Sequence, residues 1–202
     1  MLHLTDELKF AQGGRRICYV YPTNTHRCIK VLRPRGQPVR RRQKSAWYKR
    51  LRPLSSFDDN LRELAAFEEM KCYDDSIWEH FPLCYGMEQS NLGEGIVTDL
   101  IRDEDSGEIS QTLREYLKAK GSSPELMNAL DAFFDKLIEQ QVVTRDILDH
   151  NLVVKVESAG LRIMLIDGFG SSDFLPSKVT SLFSSRRKVR RKVQRFRVRY
   201  SI

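Results

Sequence analysis

Apolar and polar positions follow two different periods along the chain, and the change falls near residue 102. Before that point, short apolar runs rich in β-branched and aromatic residues are separated by turn residues, a pattern typical of antiparallel strands. We predict strands at 8–10, 17–21, 27–32, 83–87 and 95–101. After that point the 3.6-residue period of amphipathic helices prevails. The sequence therefore predicts an α+β fold in one domain, with a β-rich part before a helical part.

Four stretches carry the spacing of amphipathic helices. They are residues 57–70 after the predicted caps Ser55 and Ser56, residues 112–120, the stretch from Pro124 to about residue 138 after the cap Ser123, and residues 178–200. The third has the clearest pattern, because its apolar residues keep to one face. We expect it to be the core helix of the helical part.

Residues 144–170 carry candidate chemistry. Two β-branched runs within this stretch, 152–156 and 161–166, predict a hairpin whose ends are close in space. Asn151 precedes the hairpin and Asp167 follows it, so these two are expected to be neighbours, and Asp146 lies five positions before Asn151. Carboxylate and amide oxygens suit magnesium, and a carboxylate can accept the proton of a hydroxyl, which predicts metal-assisted phosphoryl transfer. Each residue taken alone is also an ordinary turn former.

An inward lysine is predicted in the β-rich part. Alternation places Cys28 and Lys30 on one face of their strand, among apolar neighbours. A lysine that stays charged there needs a carboxylate, and Glu63, beside the apolar stripe of the next helix, is the candidate partner. The alternative is that both side chains are solvated. Likewise, Gly13-Gly14 is either a plain hairpin turn or a cradle for phosphate.

The net charge of +7 conceals a strong asymmetry. Residues 33–52 and residues 186–199 each hold nine Arg or Lys and no acid, which leaves −11 for the rest of the chain (7 − 9 − 9). We predict that 33–52 is an exposed loop or insertion, with Trp47 and Tyr48 as an aromatic anchor. It is either solvated or binds a nucleic acid, a phospholipid or a phosphorylated ligand. The helix at 178–200 is either solvated or attracted to an acidic partner or an anionic membrane surface.

Other sequence features restrict the compartment and the partners. The four cysteines are far apart and form no Cys-x-x-Cys pair, so the sequence predicts reduced thiols with neither disulfides nor a zinc site. The start carries acids, and no run of 18 apolar residues occurs. We therefore expect a cytoplasmic protein, with peripheral attachment to the inner membrane as an alternative. The basic segments have no base-reading motif and no regular aromatic interleaving, which disfavours nucleic acid.

Taken together, these features resemble the protein-kinase-like fold. Lys30 is similar to the lysine of the V-A-I-K strand, and Glu63 to the helix glutamate that pairs with it. Residues 144–151 resemble the catalytic loop H-R-D-x-x-x-x-N, and residues 167–170 resemble the D-F-G element. The whole chain is similar to the YrbL family, small bacterial kinase-like proteins of the PhoP regulatory network. The resemblance lies in residues 27–31, 61–64, 98–103, 112–113 and 186–196.

The resemblance implies a small antiparallel β N-lobe (residues 1–102), a truncated, mainly helical C-lobe (residues 103–202) and a nucleotide cleft between them. It implies ATP and Mg²⁺ as ligands, with the Gly13-Gly14 turn over the phosphates and Lys30 in contact with them. Asn151 and Asp167 would hold magnesium, and Asp146 would accept the proton of the acceptor. The adenine would lie against Cys28, Val97 and Val153, and would bond to the backbone of Asp99, Leu100 and Ile101.

The chain also departs from the kinase pattern. Thr144 stands in place of the catalytic-loop histidine, Gly168 separates Asp167 from Phe169, and the glycine turn lacks a spaced third glycine. Only 32 residues follow Gly170 (202 − 170), with no A-P-E sequence, so we expect a non-protein or anionic acceptor. A phosphorylated sugar or a lipopolysaccharide core would fit. The alternatives are a catalytically inactive regulatory or scaffold protein and a nucleic-acid-binding protein.

Overall fold

The computed structural model describes residues 1–71, 73–142, 144, 147–168 and 182–200, the last segment with its side chains from residue 186 onward. The chain divides into two compact units. The first comprises residues 1–68 and 83–100, and the second comprises residues 69–82 and 101–202. The architecture is mixed α+β, as the two hydrophobic periods predict.

An antiparallel sheet forms the frame of the first unit. Its strands are β1 (Lys9–Gln12), β2 (Arg16–Tyr21), β3 (Asn24–Leu32), β4 (Cys84–Ser90) and β5 (Gly93–Asp99), in the spatial order β1-β2-β3-β5-β4. One face packs a core of Leu4, Tyr19, Ile29, Val31 and Val97. Gly95 makes this core possible, because a Cβ at that position would lie only 2.5 Å from Ile29 Cγ1.

The helical part of the first unit differs from the prediction at two places. Residues 33–52, predicted as a loop, contain the short helix α1 (Pro38–Gln43) and a 3₁₀ turn at Trp47–Leu51. The next helix, α2 (Asp59–Met70), ends as predicted but is capped by Asp58, whose carboxylate accepts from the amides of the second and third helical residues at 2.8 and 3.1 Å. The predicted serine caps are wrong, since both serines lie in a preceding 3₁₀ turn.

The second unit combines helices with a small antiparallel sheet. Its elements are β6 (Gln111–Thr112), α3 (Leu113–Lys120), α4 (Pro124–Glu139), β7 (Leu152–Glu157), β8 (Gly160–Leu165) and α5 (Leu182–Tyr200). The sheet order is β6-β7-β8, and the predicted hairpin of β7 and β8 is confirmed. A 3₁₀ turn at Asp75–His80 packs on β8.

Capping explains where α3 and α4 begin and where α3 ends. Ser123 Oγ accepts from the Leu126 amide at 3.1 Å, as the sequence predicts for α4. Thr112 and Glu115 form a reciprocal capping box at α3. Gly121, which follows α3, has a φ of 73°, a conformation that favours glycine.

The basic helix α5 is part of the core of the second unit. Its apolar stripe, formed by Val189, Val193 and Phe196, is buried, and the Phe196 ring lies 5.3 Å from that of Phe134 in α4. This apolar face therefore contacts protein. Among the described residues, no helix combines the length and the hydropathy that crossing a bilayer would require.

Candidate functional site

Lys30 and Glu63 form a buried ion pair in the first unit. Lys30 Nζ lies 2.6 Å from Glu63 Oε1, and the exposed fractions of the two residues are 6% and 0%. The sequence-based prediction that Glu63 is the partner of the inward lysine is confirmed. Because β3 carries the lysine and α2 carries the glutamate, the pair joins the sheet to the helix.

Arg16, which the sequence analysis missed, contacts the same carboxylate. Its guanidinium reaches Glu63 Oε2 from β2, so one carboxylate joins two strands and a helix. Asn60, fully buried in α2, donates to the backbone oxygen of Lys30 at 3.0 Å, and its side-chain oxygen lies 3.5 Å from Arg16 Nη1. The signal that could have found Arg16 is strand alternation: Cys18 pairs with Lys30, and Arg16 lies two positions before Cys18 on the same face.

The strand register defines which residues share the face of Lys30. Residues that lie directly opposite in an antiparallel pair point to the same side of the sheet. Cys18 and Ile96 lie opposite Lys30, and Thr98 lies opposite Cys28.

Val97 and Cys28, which were predicted to contact the same adenine, lie on opposite faces of the sheet. Val97 lies opposite Ile29 in the register and packs in the core on the other side of the sheet. The face of a strand residue is set by pairing register, and a shift of one position moves a side chain to the opposite face.

The cysteines of the first unit are packing groups. Cys18, Cys28 and Cys84 are free thiols, and burial raises the pKa of all three, that of Cys18 to about 11. These thiols are therefore protonated at neutral pH, which makes them poor nucleophiles. The Cys28 sulfur lies 3.4 Å from Thr98 Oγ1.

The Gly13-Gly14 turn has the geometry of an ordinary hairpin. The Gly13 amide donates to the Arg16 carbonyl at 2.9 Å, and the Gly13 carbonyl accepts from Arg33 at 2.8 Å. The amide of Gly13 is thus engaged within the hairpin, contrary to its predicted role as a phosphate donor. A Cβ at Gly14 would meet nothing within 4 Å, so packing does not require a glycine there.

The segment predicted to bond adenine already makes several hydrogen bonds within the protein. The Asp99 carboxylate accepts from the Leu83 amide and the Tyr85 hydroxyl, each at 2.8 Å. The Leu100 amide donates to the His26 carbonyl at 2.9 Å. In the second unit, the Ile101 carbonyl accepts from an amide at 3.0 Å, and the Ile101 side chain packs with Val153.

Asn151 and Asp167 are neighbours at one end of the β7–β8 hairpin. The Ile166 amide donates to the Asn151 carbonyl at 2.9 Å, which confirms the predicted proximity. Asn151 is buried and Asp167 is half-buried. The Gly168 amide donates to Asp167 Oδ1 at 2.6 Å. Gly168 has a φ of 88°, a conformation that favours glycine, which explains why a glycine follows the aspartate. Asp146, the predicted base, lies outside the described residues, together with Arg145, Phe169 and Gly170.

Two helices hold the loop that leads to Asn151. Arg114 of α3 donates to both oxygens of Asp149, at 2.8 and 2.7 Å, and the Tyr200 hydroxyl of α5 donates to Oδ1 at 3.0 Å. The Arg114 hydrogen bonds lower the pKa of Asp149 to about 2, with Tyr200 adding to the effect. Lys192 of α5 donates to the Thr144 carbonyl. Sequence reasoning missed these anchors because each joins residues far apart in the chain.

Comparison with known proteins identifies the family. Residues 2–201 match the family model of the PhoP regulatory network protein YrbL. The chain belongs to the YrbL family. It is 24% identical over 204 residues to the YrbL proteins of Escherichia coli (strain K12) and Shigella flexneri, an alignment that covers 97% of this chain and 86% of each relative. The resemblance to the YrbL family that the sequence motifs indicate is confirmed, and it links the chain to the PhoP regulatory network.

The hairpin end of this YrbL-family chain offers oxygen ligands that suit magnesium. Mg²⁺ usually keeps several waters and binds one or two carboxylates together with substrate phosphates, so a complete protein cage is unnecessary. By residue type, the Asp167 carboxylate and the Asn151 side-chain amide are oxygen donors of the kind that Mg²⁺ binds. Within the part of the chain that the structure describes, no group of three or more His, Cys, Asp or Glu side chains is placed to hold a metal ion.

Proposed function

We propose that this YrbL-family chain is a kinase-like protein that binds ATP with Mg²⁺ and transfers the γ-phosphate to a hydroxyl acceptor. The observation that carries the proposal is the buried contact of Lys30 with Glu63. A buried ion pair gains little stability over apolar residues of similar size, because both charges lose their hydration. A lysine held in place by a buried carboxylate is, however, the group that contacts the phosphates in kinase-like proteins.

The proposal gives each predicted site residue a separate task. Lys30, oriented by Glu63, contacts the phosphates, and Asp146 accepts the proton of the acceptor hydroxyl. Asn151 and Asp167 hold the metal. The magnesium ion, when bound, neutralises charge that develops on the transferred group. The acceptor oxygen forms a bond to the γ-phosphorus while the bond to the β–γ bridging oxygen breaks, and ADP leaves.

The remaining proposed contacts are those with the adenine. Cys28 and Val153 contact the adenine, and Leu100 and Ile101 offer backbone groups to it, whereas Val97 is no longer included. We assign the acceptor to non-protein molecules that carry an anionic group, because the chain has two all-basic segments. A phosphorylated sugar or a lipopolysaccharide core has this chemistry. The proposed location of the protein is the cytoplasm.

Thermal unfolding with and without ATP and Mg²⁺ tests the proposed ligand. A ligand that binds only the folded state at about 100 times its Kd stabilises the protein by about 2.7 kcal/mol. For a chain of this size, that raises the midpoint by about 5–10 °C. Lys30→Met and Asp167→Asn should lose most of the shift. Lys118→Met, which removes an exposed lysine, is the control and should keep it. The absence of a shift in the wild type at millimolar ATP and magnesium would refute the proposal.

Formation of ADP separates binding from transfer. Asp146→Asn should keep the ATP-dependent thermal shift and lose transfer, because it removes the base without removing a phosphate or metal contact.

A second candidate function is a non-catalytic, nucleotide-binding module of the PhoP regulatory network. The observation that favours it is the Gly13 amide, which is engaged in the hairpin. A wild-type protein that shifts with ATP but releases no ADP with any anionic acceptor would establish this second function.

A further inference from the structure

The basic segment, residues 33–54, is folded and fixed to the first unit. Arg41 of α1 lies 2.9 Å from the buried Asp59 carboxylate and also donates to the Phe57 carbonyl. Arg42 and Arg50 close the loop between α1 and the following 3₁₀ turn through backbone carbonyls, each at 2.8 Å. The segment is thus held by its own hydrogen bonds and by the start of α2, and does not depend on packing of its apolar side chains.

The large apolar side chains of the basic segment point outward. Trp47 is 76% exposed and Leu51 is 80% exposed, and Tyr48 between them is also exposed. Val39 and Leu54 add two further exposed aliphatic groups. Single exposed apolar residues are common on soluble proteins, but several within one short segment mark an interaction surface.

The same segment is rich in exposed cations. The exposed basic residues of the segment are Arg35, Arg40, Arg42, Lys44, Lys49 and Arg50. Residues 33–54 contain no Asp or Glu, so the charge of the segment itself is of one sign. Aromatic and aliphatic side chains among Lys and Arg are the composition of surfaces that lie in the headgroup region of anionic bilayers.

We propose that the basic segment binds the surface of an anionic lipid bilayer. Trp47, Tyr48 and Leu51 enter the interface, and the surrounding cations contact lipid phosphates. The aliphatic residues favour lipid over nucleic acid, since Leu51 cannot stack on bases as an aromatic ring does. Trp47 and Tyr48 are also arranged edge to face, with centroids 6.1 Å apart, and do not form parallel stacking platforms.

Fluorescence of Trp47 reports insertion directly. The chain has two tryptophans, Trp47 and Trp78, so the full-length Trp78→Phe variant leaves Trp47 as the single reporter. Vesicles of phosphatidylcholine that contain phosphatidylglycerol should shift its emission to shorter wavelength and protect it from an aqueous quencher. Vesicles of phosphatidylcholine alone should have little effect. Soluble glycerol phosphate at the same phosphate concentration should not reproduce the shift, which distinguishes a membrane from a free phosphate.

Matched variants test which residues carry the binding in vesicle sedimentation. Replacing Arg40, Lys44 and Lys49 with glutamine should weaken partitioning about fivefold per charge, or about a hundredfold in total. The control replaces Arg187, Arg190 and Arg191, all exposed on α5, with glutamine. It removes the same charge and should not lose vesicle binding. Trp47→Ser with Leu51→Ser should also lose binding. Leu83→Ser with Leu92→Ser removes exposed apolar groups elsewhere in the first unit and should not. All variants should keep the wild-type thermal midpoint.

Three outcomes would overturn the proposal. The first is unchanged Trp47 emission on anionic vesicles. The second is loss of vesicle binding in the α5 variant but not in the variants of the basic segment. The third is salt-sensitive binding of RNA or DNA by the basic segment without any vesicle binding, which would assign this surface to nucleic acid.

Discussion

At the scale of single residues, Glu63 is the group on which the candidate site depends. Its carboxylate is fully buried and contacts both Lys30 and Arg16. Glu63→Ala removes the carboxylate that the two cations share and should cost about 3–5 kcal/mol of unfolding free energy. Lys30→Met leaves the contact of Arg16 with Glu63 in place and should cost only about 1–2 kcal/mol. Urea unfolding of both variants measures the difference, and equal losses would contradict the shared role.

The same cluster shows what a sequence can predict about a buried site. Lys30 was predictable together with Glu63, because an inward lysine on an apolar strand requires a nearby acid. Arg16 was missed, although alternation puts it on the same face of its strand as Cys18, and Val97 was grouped with residues of the opposite face. Which face of β2 and β5 lies on the side of Lys30 depends on the pairing register. Register is set by turn geometry and by the packing of the whole sheet, and the sequence around one residue does not contain it.

At the scale of elements, substitutions on the two faces of α5 should have different effects on stability. Phe196 is 2% exposed and lies between Phe134 and Tyr200, with ring centroids 5.3 and 4.5 Å away. Phe196→Ala should therefore cost about 3–5 kcal/mol, since it leaves a cavity in the second unit. Val198→Ser on the exposed face of the same helix should change stability by less than about 0.5 kcal/mol. Similar losses in both variants, measured by urea unfolding, would argue against the packing of α5.

Helices were predicted correctly where the burial of one face produces a hydrophobic period in the sequence. They were missed where polar contacts alone hold the helix in place. Helix α4 has a continuous apolar face, and Ser123 with Pro124 marks its beginning. Helix α1 has no buried residue and consists largely of arginine, so it carries no period. It is fixed by the contact of Arg41 with Asp59, a partner 18 positions later in the chain. Such contacts are visible only in three dimensions.

At the scale of the whole molecule, the two basic segments carry equal charge but differ in the exposure of their apolar residues. Each holds nine cations and no acid. In α5 the apolar residues Val189, Val193 and Phe196 are buried against protein, and Val198 is exposed. In residues 33–54 the large apolar residues are exposed. From composition, an anionic membrane surface was one of the alternatives for the helix at 178–200, and a phospholipid was one of the alternatives for residues 33–52. The burial of Val189, Val193 and Phe196 favours the basic segment of the first unit for a contact with lipid.

Two buried groups of the second unit, His80 and Asp149, should make the stability of the fold depend on pH. His80 Nδ1 donates to the Ile163 carbonyl at 2.8 Å, and its ring packs against Phe133. Burial lowers the pKa of His80 below its ordinary 6.5, with Arg162 adding to the effect and the Ile163 hydrogen bond opposing it. The pKa of Asp149 is lowered from 3.8 to about 2, chiefly by Arg114. In both cases the folded state binds fewer protons than the unfolded state, so stability falls as the pH falls.

The free energy of unfolding should therefore decline in two separate steps on acidification. The first begins as the pH falls through 6.5, where His80 becomes protonated in the unfolded chain, and His80→Gln should remove it while keeping a donor for Ile163. The second lies between about pH 5 and pH 2, and Asp149→Asn should remove it. The second step amounts to about 1 kcal/mol, because the exposed guanidinium of Arg114 is screened by water. Urea unfolding across this pH range measures both steps. A wild-type-like profile in either variant would show that the group in question does not control the acid sensitivity of the fold.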